Sequence, residues 1–456
     1  MNIAVILAGG EGQRLGNGIP KQFLKIAGRM VIEHTIDVFQ HHSDINEIAV
    51  VCHPNYINEV ERLCIRNRYS KVKKILSGGK ERYHSSLAAI KAYDDPDINI
   101  LFHDAVRPLV NNRIITECIQ KLNDFNAIDV AVPATDTIIQ SNDLRIITGI
   151  PVRKYLQCGQ TPQAFKLGII KKAYELALTD SKFSSTDDCS VVMNYLPGTE
   201  IFIVRGESYN MKLTYKEDIY ILDRWFQLKT SNLESKELKT DYKSKLAGKN
   251  VVVFGGSSGI GLSIVNMCRY YNANATSFSR SENGVDISDA SSVRDALNKV
   301  IKQQGRIDYI VNTAGILQRE PLADMKLEDV MNSININYLG AVIVAREAFP
   351  FIRESRGHIL FLTSSSYTRG RSMYSIYSSS KAAIVNLTQA LADEWSDFGI
   401  KINCINPERT RTPMRIKNFG IEDVNTLLEP EEVARICIKT MLSNISGQVI
   451  DVRKKD

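Results

Sequence analysis

Tyr377 and Lys381 stand four residues apart in the run YSSSK. On a helix that spacing sets a phenol and an ammonium on one face. An ammonium beside a phenol favours the phenolate and draws the tyrosine pKa from about 10 toward working pH. Such a tyrosine can give its proton to a carbonyl oxygen while hydride arrives at the carbon. Three hydroxyls, Ser364, Ser365 and Ser366, follow the apolar run Ile359–Thr363, and one of them would hydrogen-bond the same oxygen. Hydride needs a carrier. The run FGGSSGIG, Phe254–Gly261, follows a strand-like segment and precedes a helical one. Its Gly255, Gly259 and Gly261 permit a tight turn and the close approach of a pyrophosphate.

Near the start the chain carries a different apparatus, LAGGEGQRLG followed by PKQ at Pro20–Gln22. Gly9, Gly10, Gly12 and Gly16 let the backbone bend so that a triphosphate can rest against N–H groups. The loop lacks the GK[ST] of a Walker loop. Arg14 and Lys21 supply positive charge to it.

The elements that must position these residues alternate short apolar strands with helical stretches. In residues 1–227 the strands are Ile3–Leu7, Ile48–Cys52, Ile100–His103, Val130–Pro133 and Ile201–Val204. The rhythm restarts in residues 246–456 with Asn250–Phe254, Ala275–Ser279, Tyr309–Asn312, Ile359–Thr363, Lys401–Asn406 and Gln448–Val452. The pattern predicts an α/β protein of two Rossmann-like, doubly wound domains, 1–227 and 246–456. Residues 228–245, LKTSNLESKELKTDYKSK, are polar and lysine-rich and read as a linker.

Composition narrows the field. The chain has 456 residues, 44% hydrophobic and 24% charged, which excludes a mostly disordered or fibrous protein. Its apolar runs are strand-sized, so no membrane span is expected. The N-terminus enters a strand with no basic region before it, so no secretory signal is expected. The net charge of +6 is spread along the chain and does not point to nucleic acid. Eight cysteines without a C-x-x-C pair argue against a zinc cage or a disulfide framework and for a reducing cytoplasm. Six of the seven histidines precede residue 110, leaving His358 as little material for a His-based triad in the second half.

LAGGEGQRLG…PKQ is followed in order by SGGKERYHS (Ser77–Ser85), HDAVRP (His103–Pro108), QTPQAF (Gln160–Phe165), STDDCS (Ser185–Ser190) and MKLTYKEDI (Met211–Ile219). Together they resemble the cytidylyltransferases of 2-C-methyl-D-erythritol 4-phosphate and ribitol 5-phosphate. The resemblance implies a nucleotidyltransferase fold in which an acceptor phosphate oxygen attacks the α-phosphorus of CTP and pyrophosphate leaves. All the reacting groups are anionic, so the protein screens and aligns them. Arg14 and Lys21 would grip the triphosphate and Lys212 would work from the other side. Asp104 would orient the acceptor and lie near Mg2+. Gly79 and Ser85 would face the cytidine, and Arg82 would brace their loop. Arg107 would either brace Asp104 or act directly. Arg153, Thr161 and Thr186 match the pocket for the acceptor's own phosphate, shared with an arm, Asp136–Gln160, from a neighbouring subunit. A homodimer or larger homo-oligomer is therefore expected. Lys80 stands where the methylerythritol enzymes often carry an acid.

The second half adds Asp286 in VDIS, NTAG (Asn312–Gly315), INYLG (Ile336–Gly340) and NPERTRT (Asn406–Thr412) to its glycine turn and YSSSK. In this order they resemble the short-chain dehydrogenase/reductase family. The resemblance selects Ser364 among the three serines and gives Asn337 a water that links Lys381 to bulk. It implies a nicotinamide cofactor held by Gly255, Ser257, Ser258, Gly259, Ile260, Gly261, Asn312, Ala314 and Gly315, with Asp286 toward the adenine. After the second strand the chain reads SFSRS, with Arg280 and hydroxyls and no acid, which favours NADPH over NADH. Arg369, Arg371, Arg409 and Arg411, with Arg319, Arg415 and Lys417, fall in loops expected over the nicotinamide and suggest a phosphorylated carbonyl substrate.

A reductase makes an alcohol and the transferase consumes a phosphorylated alcohol. The order of the halves resembles the bifunctional ribulose 5-phosphate reductase/CDP-ribitol pyrophosphorylases of bacterial capsule synthesis. The expected small molecules are CTP and a pentose or pentitol phosphate. The alternative is a 2-C-methyl-D-erythritol 4-phosphate cytidylyltransferase whose reductase-like half has another or a regulatory role.

Overall fold

The computed structural model describes residues 1–10, 19–230 and 242–454. The chain divides into two compact units, one of Met1–Ile26 and Met30–Leu222, the other of Ala27–Arg29 and Asp223–Asp456. Most of the expected linker, 231–241, lies outside the described residues, and Tyr242–Leu246 beyond it is a short helix.

The first unit is built on an eight-stranded mixed sheet. Its strands are β1 (Asn2–Ala8), β2 (Glu47–Cys52), β3 (Val72–Ser77), β4 (Asn99–Asp104), β5 (Ala127–Pro133), β6 (Gln157–Gly159), β7 (Gln163–Lys166) and β8 (Ile201–Arg205). The order is β6-β5-β7-β4-β1-β2-β3, with β8 also paired to β5. β1 runs parallel to β2 and β4, while β7 is antiparallel to β4 and β5. Ile3 to Ile6 of β1 are fully buried, as a central strand covered on both faces must be. The two faces carry separate apolar cores, one around Ile6, Ile36 and Phe39, the other around Val5, Phe102 and Phe165.

The second unit is a six-stranded, wholly parallel sheet. Its strands are β9 (Asn250–Phe254), β10 (Asn274–Phe278), β11 (Tyr309–Asn312), β12 (His358–Leu362), β13 (Lys401–Pro407) and β14 (Val449–Val452), in the order β10-β9-β11-β12-β13-β14. After β10 the chain crosses back past β9 to begin β11. That reversal opens a crevice beyond the carboxyl ends of β9 and β11, where ligands of such sheets bind. Val251–Phe254 are fully buried, with cores on both faces. No described helix is long and apolar enough to cross a membrane.

Candidate functional site

The first site gathers where β1 and β4 end. Gln22, buried, donates from Nε2 to the carbonyls of Ala8 at 2.8 Å and Gly10 at 3.1 Å, so PKQ ties down the start of the glycine loop. The rest of that loop, including Gly12, Arg14 and Gly16, lies outside the described residues. Ser85 wedges its hydroxyl between two glycines: a Cβ on either Gly9 or Gly78 would come within 2.7 Å of its Oγ. A Cβ on Gly79 would meet the His84 side chain at 2.5 Å. Lys21 donates from Nζ to the Thr214 carbonyl at 3.1 Å, two residues beyond Lys212.

Asp104 closes β4 and is 6% exposed. Its Oδ2 faces Lys212 Nζ at 3.0 Å and Arg107 Nε at 3.3 Å, and its Oδ1 lies 3.8 Å from Arg82 Nε. Burial alone would raise this carboxyl's pKa. Lys212, Arg82 and Arg107 outweigh it and hold the group well below the usual carboxylate range. Arg82 in turn donates to Asp188 Oδ2 at 2.6 Å, and Asp188 Oδ1 accepts from the Tyr174 hydroxyl at 2.7 Å. Burial opposes the Arg82 charge, and the two aspartates more than restore it. The Arg82 Nη2 atom is buried with no protein partner.

Thr161, an expected ligand of the acceptor phosphate, is buried and otherwise engaged. Its Oγ1 accepts from the Asp104 N–H at 3.1 Å and donates to His103 Nδ1 at 2.9 Å. The direction follows because His103 Nε2 must donate to the Arg107 carbonyl, at 3.1 Å, which can only accept. Burial drives the His103 pKa down to about 4, so the ring is neutral at working pH. The chain Asp104–Thr161–His103–Arg107 thus fixes the backbone that aims Asp104. Arg153 is exposed on the arm, donating to the Thr135 carbonyl at 3.1 Å, and Thr186 is exposed in the turn before the helix Asp188–Tyr195. Gln22, Asp188 and Asn210, whose carbonyl accepts from Arg107, were invisible as single letters. The quoted blocks contain Gln22 and Asp188, but only the fold shows what each one grips.

No three of His, Cys, Asp and Glu gather into a metal-binding cluster among the described residues. A divalent ion at this site would be held through the Asp104 carboxylate, whose Oδ1 lies 3.8 Å from Arg82 Nε. The remaining ligands would come from phosphate, as is usual for Mg2+.

The second site is a cavity of about 570 Å3 at the crevice of the second sheet. Gly255, at φ +81°, begins its floor, and a Cβ there would lie 2.6 Å from the Ala314 nitrogen. Thr313 locks that turn by donating to the Phe254 and Gly255 carbonyls at 2.9 and 3.0 Å. Ser257, Ser258, Gly259, Ile260, Gly261, Ala314 and Gly315 continue the lining. Asn312 stands behind it and accepts the Ala314 N–H at 3.1 Å. This backbone cradle, open where side chains would fill it, fits a dinucleotide. Arg280 and Asp286 line the far end and pair with each other at 3.0 Å.

Ser364, Tyr377 and Lys381 all line the same cavity. Tyr377 and Lys381 lie on the helix Ser375–Glu394, and Ser364 lies just past β12. The expected lowering of the tyrosine pKa is not what this chain shows. Burial pushes the Tyr377 phenol up to about 12, and its contact with Ser364 offsets only part of that. Lys381 Nζ sits 5.5 Å from the ring centroid and donates to the Leu362 carbonyl at 2.8 Å. Burial pulls that ammonium down to about 8, which weakens its hold on the phenol. The tyrosine is therefore a protonated donor. Asn337 lies in a π-helical turn, Asn335–Leu339, and both ends of its amide bond the Ile316 backbone at 2.9 Å. Its side chain braces the loop after Gly315.

The expected arginines separate. Arg409 lines the cavity, and so does Arg415. Arg369 and Arg371 are exposed and outside the lining, and Arg411 is held by Glu429 at 2.6 Å.

Comparison with known proteins agrees with this division. Residues 2–227 match the family of 2-C-methyl-D-erythritol 4-phosphate cytidylyltransferase, and residues 249–420 match the short chain dehydrogenases. The chain is 41% identical over 226 residues, 48% of its length and 91% of the relative's, to a 2-C-methyl-D-erythritol 4-phosphate cytidylyltransferase of Thermobifida fusca. It is 36% identical over 228 residues, 48% of its length and 96% of the relative's, to a ribitol-5-phosphate cytidylyltransferase of Lactiplantibacillus plantarum. Across 462 aligned residues, 100% of this chain and 96% of the relative, it is 46% identical to a bifunctional ribulose 5-phosphate reductase/CDP-ribitol pyrophosphorylase of Haemophilus influenzae. A cytidylyltransferase unit followed by a reductase unit, matched along its whole length, places the chain in the family of bifunctional ribulose 5-phosphate reductase/CDP-ribitol pyrophosphorylases.

Proposed function

We propose that the enzyme reduces D-ribulose 5-phosphate with NADPH to D-ribitol 5-phosphate and couples that alcohol to CTP, releasing CDP-ribitol and pyrophosphate. The observation that carries this reading is a relative that matches both halves end to end. In the reductase, NADPH supplies hydride to C2. Ser364 holds the C2 oxygen, and the protonated Tyr377 gives it a proton, so the ketone becomes a secondary alcohol. Lys381 stands near enough to steady the phenolate that remains. Arg280, with the hydroxyls of Ser257, Ser279 and Ser281, supports a cofactor bearing a 2′-phosphate.

In the transferase, a phosphate oxygen of ribitol 5-phosphate attacks the α-phosphorus of CTP in line with departing pyrophosphate. Arg14 and Lys21 screen the triphosphate, and Lys212 screens the attacking phosphate. Asp104 orients the polyol, held rigid by Thr161 and Arg107. Asp104 would hold Mg2+, which would supply neutralising charge to the leaving pyrophosphate. The arm exposes Leu144, Ile146, Ile150, Val152 and Tyr155, each more than half accessible, which supports a homodimer in which these residues are covered and Arg153 meets the partner's acceptor phosphate. A CDP-activated polyol suits a cytoplasmic step toward a capsule polymer.

A one-pot reaction of CTP, NADPH and ribulose 5-phosphate should yield CDP-ribitol by mass detection. Failure to consume NADPH across pentulose phosphates would overturn the reading. One observation keeps a second acceptor in play: the first half is 41% identical to the Thermobifida fusca methylerythritol enzyme and 36% identical to the Lactiplantibacillus plantarum ribitol one. Preference for 2-C-methyl-D-erythritol 4-phosphate over ribitol 5-phosphate in pyrophosphate release would decide for it.

A further inference from the structure

Arg409 and Arg415 share one counter-ion. Arg415 donates from Nε and Nη2 to the two oxygens of Glu422 at 2.6 and 2.9 Å, and Arg409 Nη1 stands 4.0 Å from Glu422 Oε1. Both arginines line the reductase cavity, whereas Glu422 does not. One carboxylate thus faces two guanidinium groups and balances one of them. A line of rings connects this cluster to the chemistry. The Arg415 guanidinium lies 3.9 Å over Phe419, Phe419 packs edge-on to Tyr374 at 6.1 Å, and Tyr374 packs edge-on to Tyr377 at 6.2 Å. Glu422 sits beyond the end of the helix Pro413–Phe419, next to Ile421, which is 96% exposed. It is carried by a surface turn, while the arginines belong to the cavity wall.

We propose that Arg409 and Arg415 bind the terminal phosphate of the ketose substrate and that Glu422 holds their place until it arrives. The proposal rests on the ketose phosphate reading above and names the residues that would enforce it. A guanidinium fork fits carboxylate and phosphate with the same geometry. A phosphate dianion matches two arginines in charge, where the carboxylate matches one. Three carbon–carbon bonds separate C2 of a 2-keto pentose from the carbon that bears its phosphate, so the anion site belongs beside the proton donor and not on it. Arg415 occupies such a place. Glu422 also adds discrimination. A neutral ketose brings no anion to displace the carboxylate, so it meets a closed pair, whereas the phosphorylated substrate exchanges one anion for a stronger one.

The test compares D-ribulose 5-phosphate with unphosphorylated D-ribulose in the full-length enzyme. Arg415→Met should raise the KM for the phosphorylated ketose by about ten- to a hundredfold and the KM for D-ribulose far less, so that the preference for the phosphorylated substrate collapses. Glu422→Gln should lower that KM by up to about fivefold and make inorganic phosphate a tighter competitive inhibitor of reduction. Cytidylyl transfer, assayed in the same preparations, reports intact folding of the first unit. An unchanged KM in Arg415→Met, an equal loss on both ketoses, or a raised KM in Glu422→Gln would overturn the proposal. A wild-type enzyme that reduces no pentulose phosphate overturns the functional reading, and this proposal with it.

Discussion

In the first unit Asp104 is wrapped by Lys212, Arg107 and Arg82 at 3.0 to 3.8 Å, and its charge is secured in spite of burial. In the second unit Lys381 faces a neutral carbonyl, that of Leu362, and burial leaves its ammonium with a pKa of about 8. The first centre fixes charges so that anions can be brought together. The second leaves a phenol and an ammonium with shifted titrations so that a proton can move. The difference follows from the two chemistries: phosphoryl transfer asks for screening and alignment, and carbonyl reduction asks for a donor.

The largest effect that could break this comparison is a crossover of single variants. Tyr377→Phe keeps the ring and removes the proton, and should cut reduction by about a thousandfold or more while cytidylyl transfer persists. Lys21→Ala should cut transfer by about 10²–10³ and spare reduction. Steady-state rates of both half-reactions on each variant settle it, and a joint loss in either one would mean that the centres are coupled.

The next effect is a pH dependence carried by one centre alone. Lys381 is charged below about 8 and neutral above it. Its charge supports the phenolate left after proton transfer, so reduction should fall as pH rises through about 8, approaching tenfold per unit. Transfer should stay level over that interval, because Asp104 is held as a carboxylate well below it. Stability should diverge too. The Lys381 pKa is lower folded than unfolded, so between about 8 and 10.5 the unfolded chain binds more protons, and this group makes the second unit more stable as pH rises there. Asp104 is depressed on folding. Its contribution is present above the ordinary carboxylate pKa of about 4 and is lost as pH falls below it. Thermal unfolding of the full chain across pH would show both limbs, and a transfer profile that also breaks near pH 8 would erase the contrast.

The same contrast explains what the sequence could disclose. Gly255, Gly259 and Gly261, or Tyr377 and Lys381, act within one turn or one helix, so spacing alone brings them together, and the structure lines one cavity with all five. The alternation of apolar runs likewise marked nearly every sheet strand, because parallel strands covered on both faces must be apolar throughout. The edge strand β3, Val72–Ser77, with its two lysines, and short β6 and β7, at Gln157–Gly159 and Gln163–Lys166, left no such mark. Residues whose meaning lies in a distant partner were not legible. Arg82 meets Asp188 across 106 positions, and Thr161 meets His103 across 58. Counting cations near Ser364 also misled, since the count did not include their anions. Arg411 is neutralised by Glu429, and Arg369 and Arg371 point no charge into the cavity although they follow Ser364 closely. The tyrosine pKa failed for a related reason: the helix put the lysine on the right face, but its Nζ turns to the Leu362 carbonyl, and desolvation of the phenol outweighs the help of Ser364 and Arg415.

A smaller effect sharpens the first centre. Thr161→Val should leave His103 Nδ1 and the Asp104 N–H unpaired, at about 1–3 kcal/mol for each buried group. Transfer should lose kcat more than affinity for CTP, and reduction should not change. An unaltered transfer rate would mean that Asp104 is aimed by its cations alone.

The smallest expected effect concerns the cofactor end of the second centre, where exposed charges behave as they do on any surface. Arg280 is 62% exposed and Asp286 29% exposed, and their pairing at 3.0 Å is a weak one in water. Asp286 also accepts from the Ser288 hydroxyl and N–H, so it would keep its place without the arginine. Asp286→Asn should release Arg280 toward a 2′-phosphate and lower the KM for NADPH by up to about fivefold, leaving the KM for NADH unchanged. Arg280→Ala should raise the NADPH value alone. If both variants shift NADPH and NADH together, the pair serves the adenine end common to both cofactors, and the preference must come from the serine hydroxyls instead.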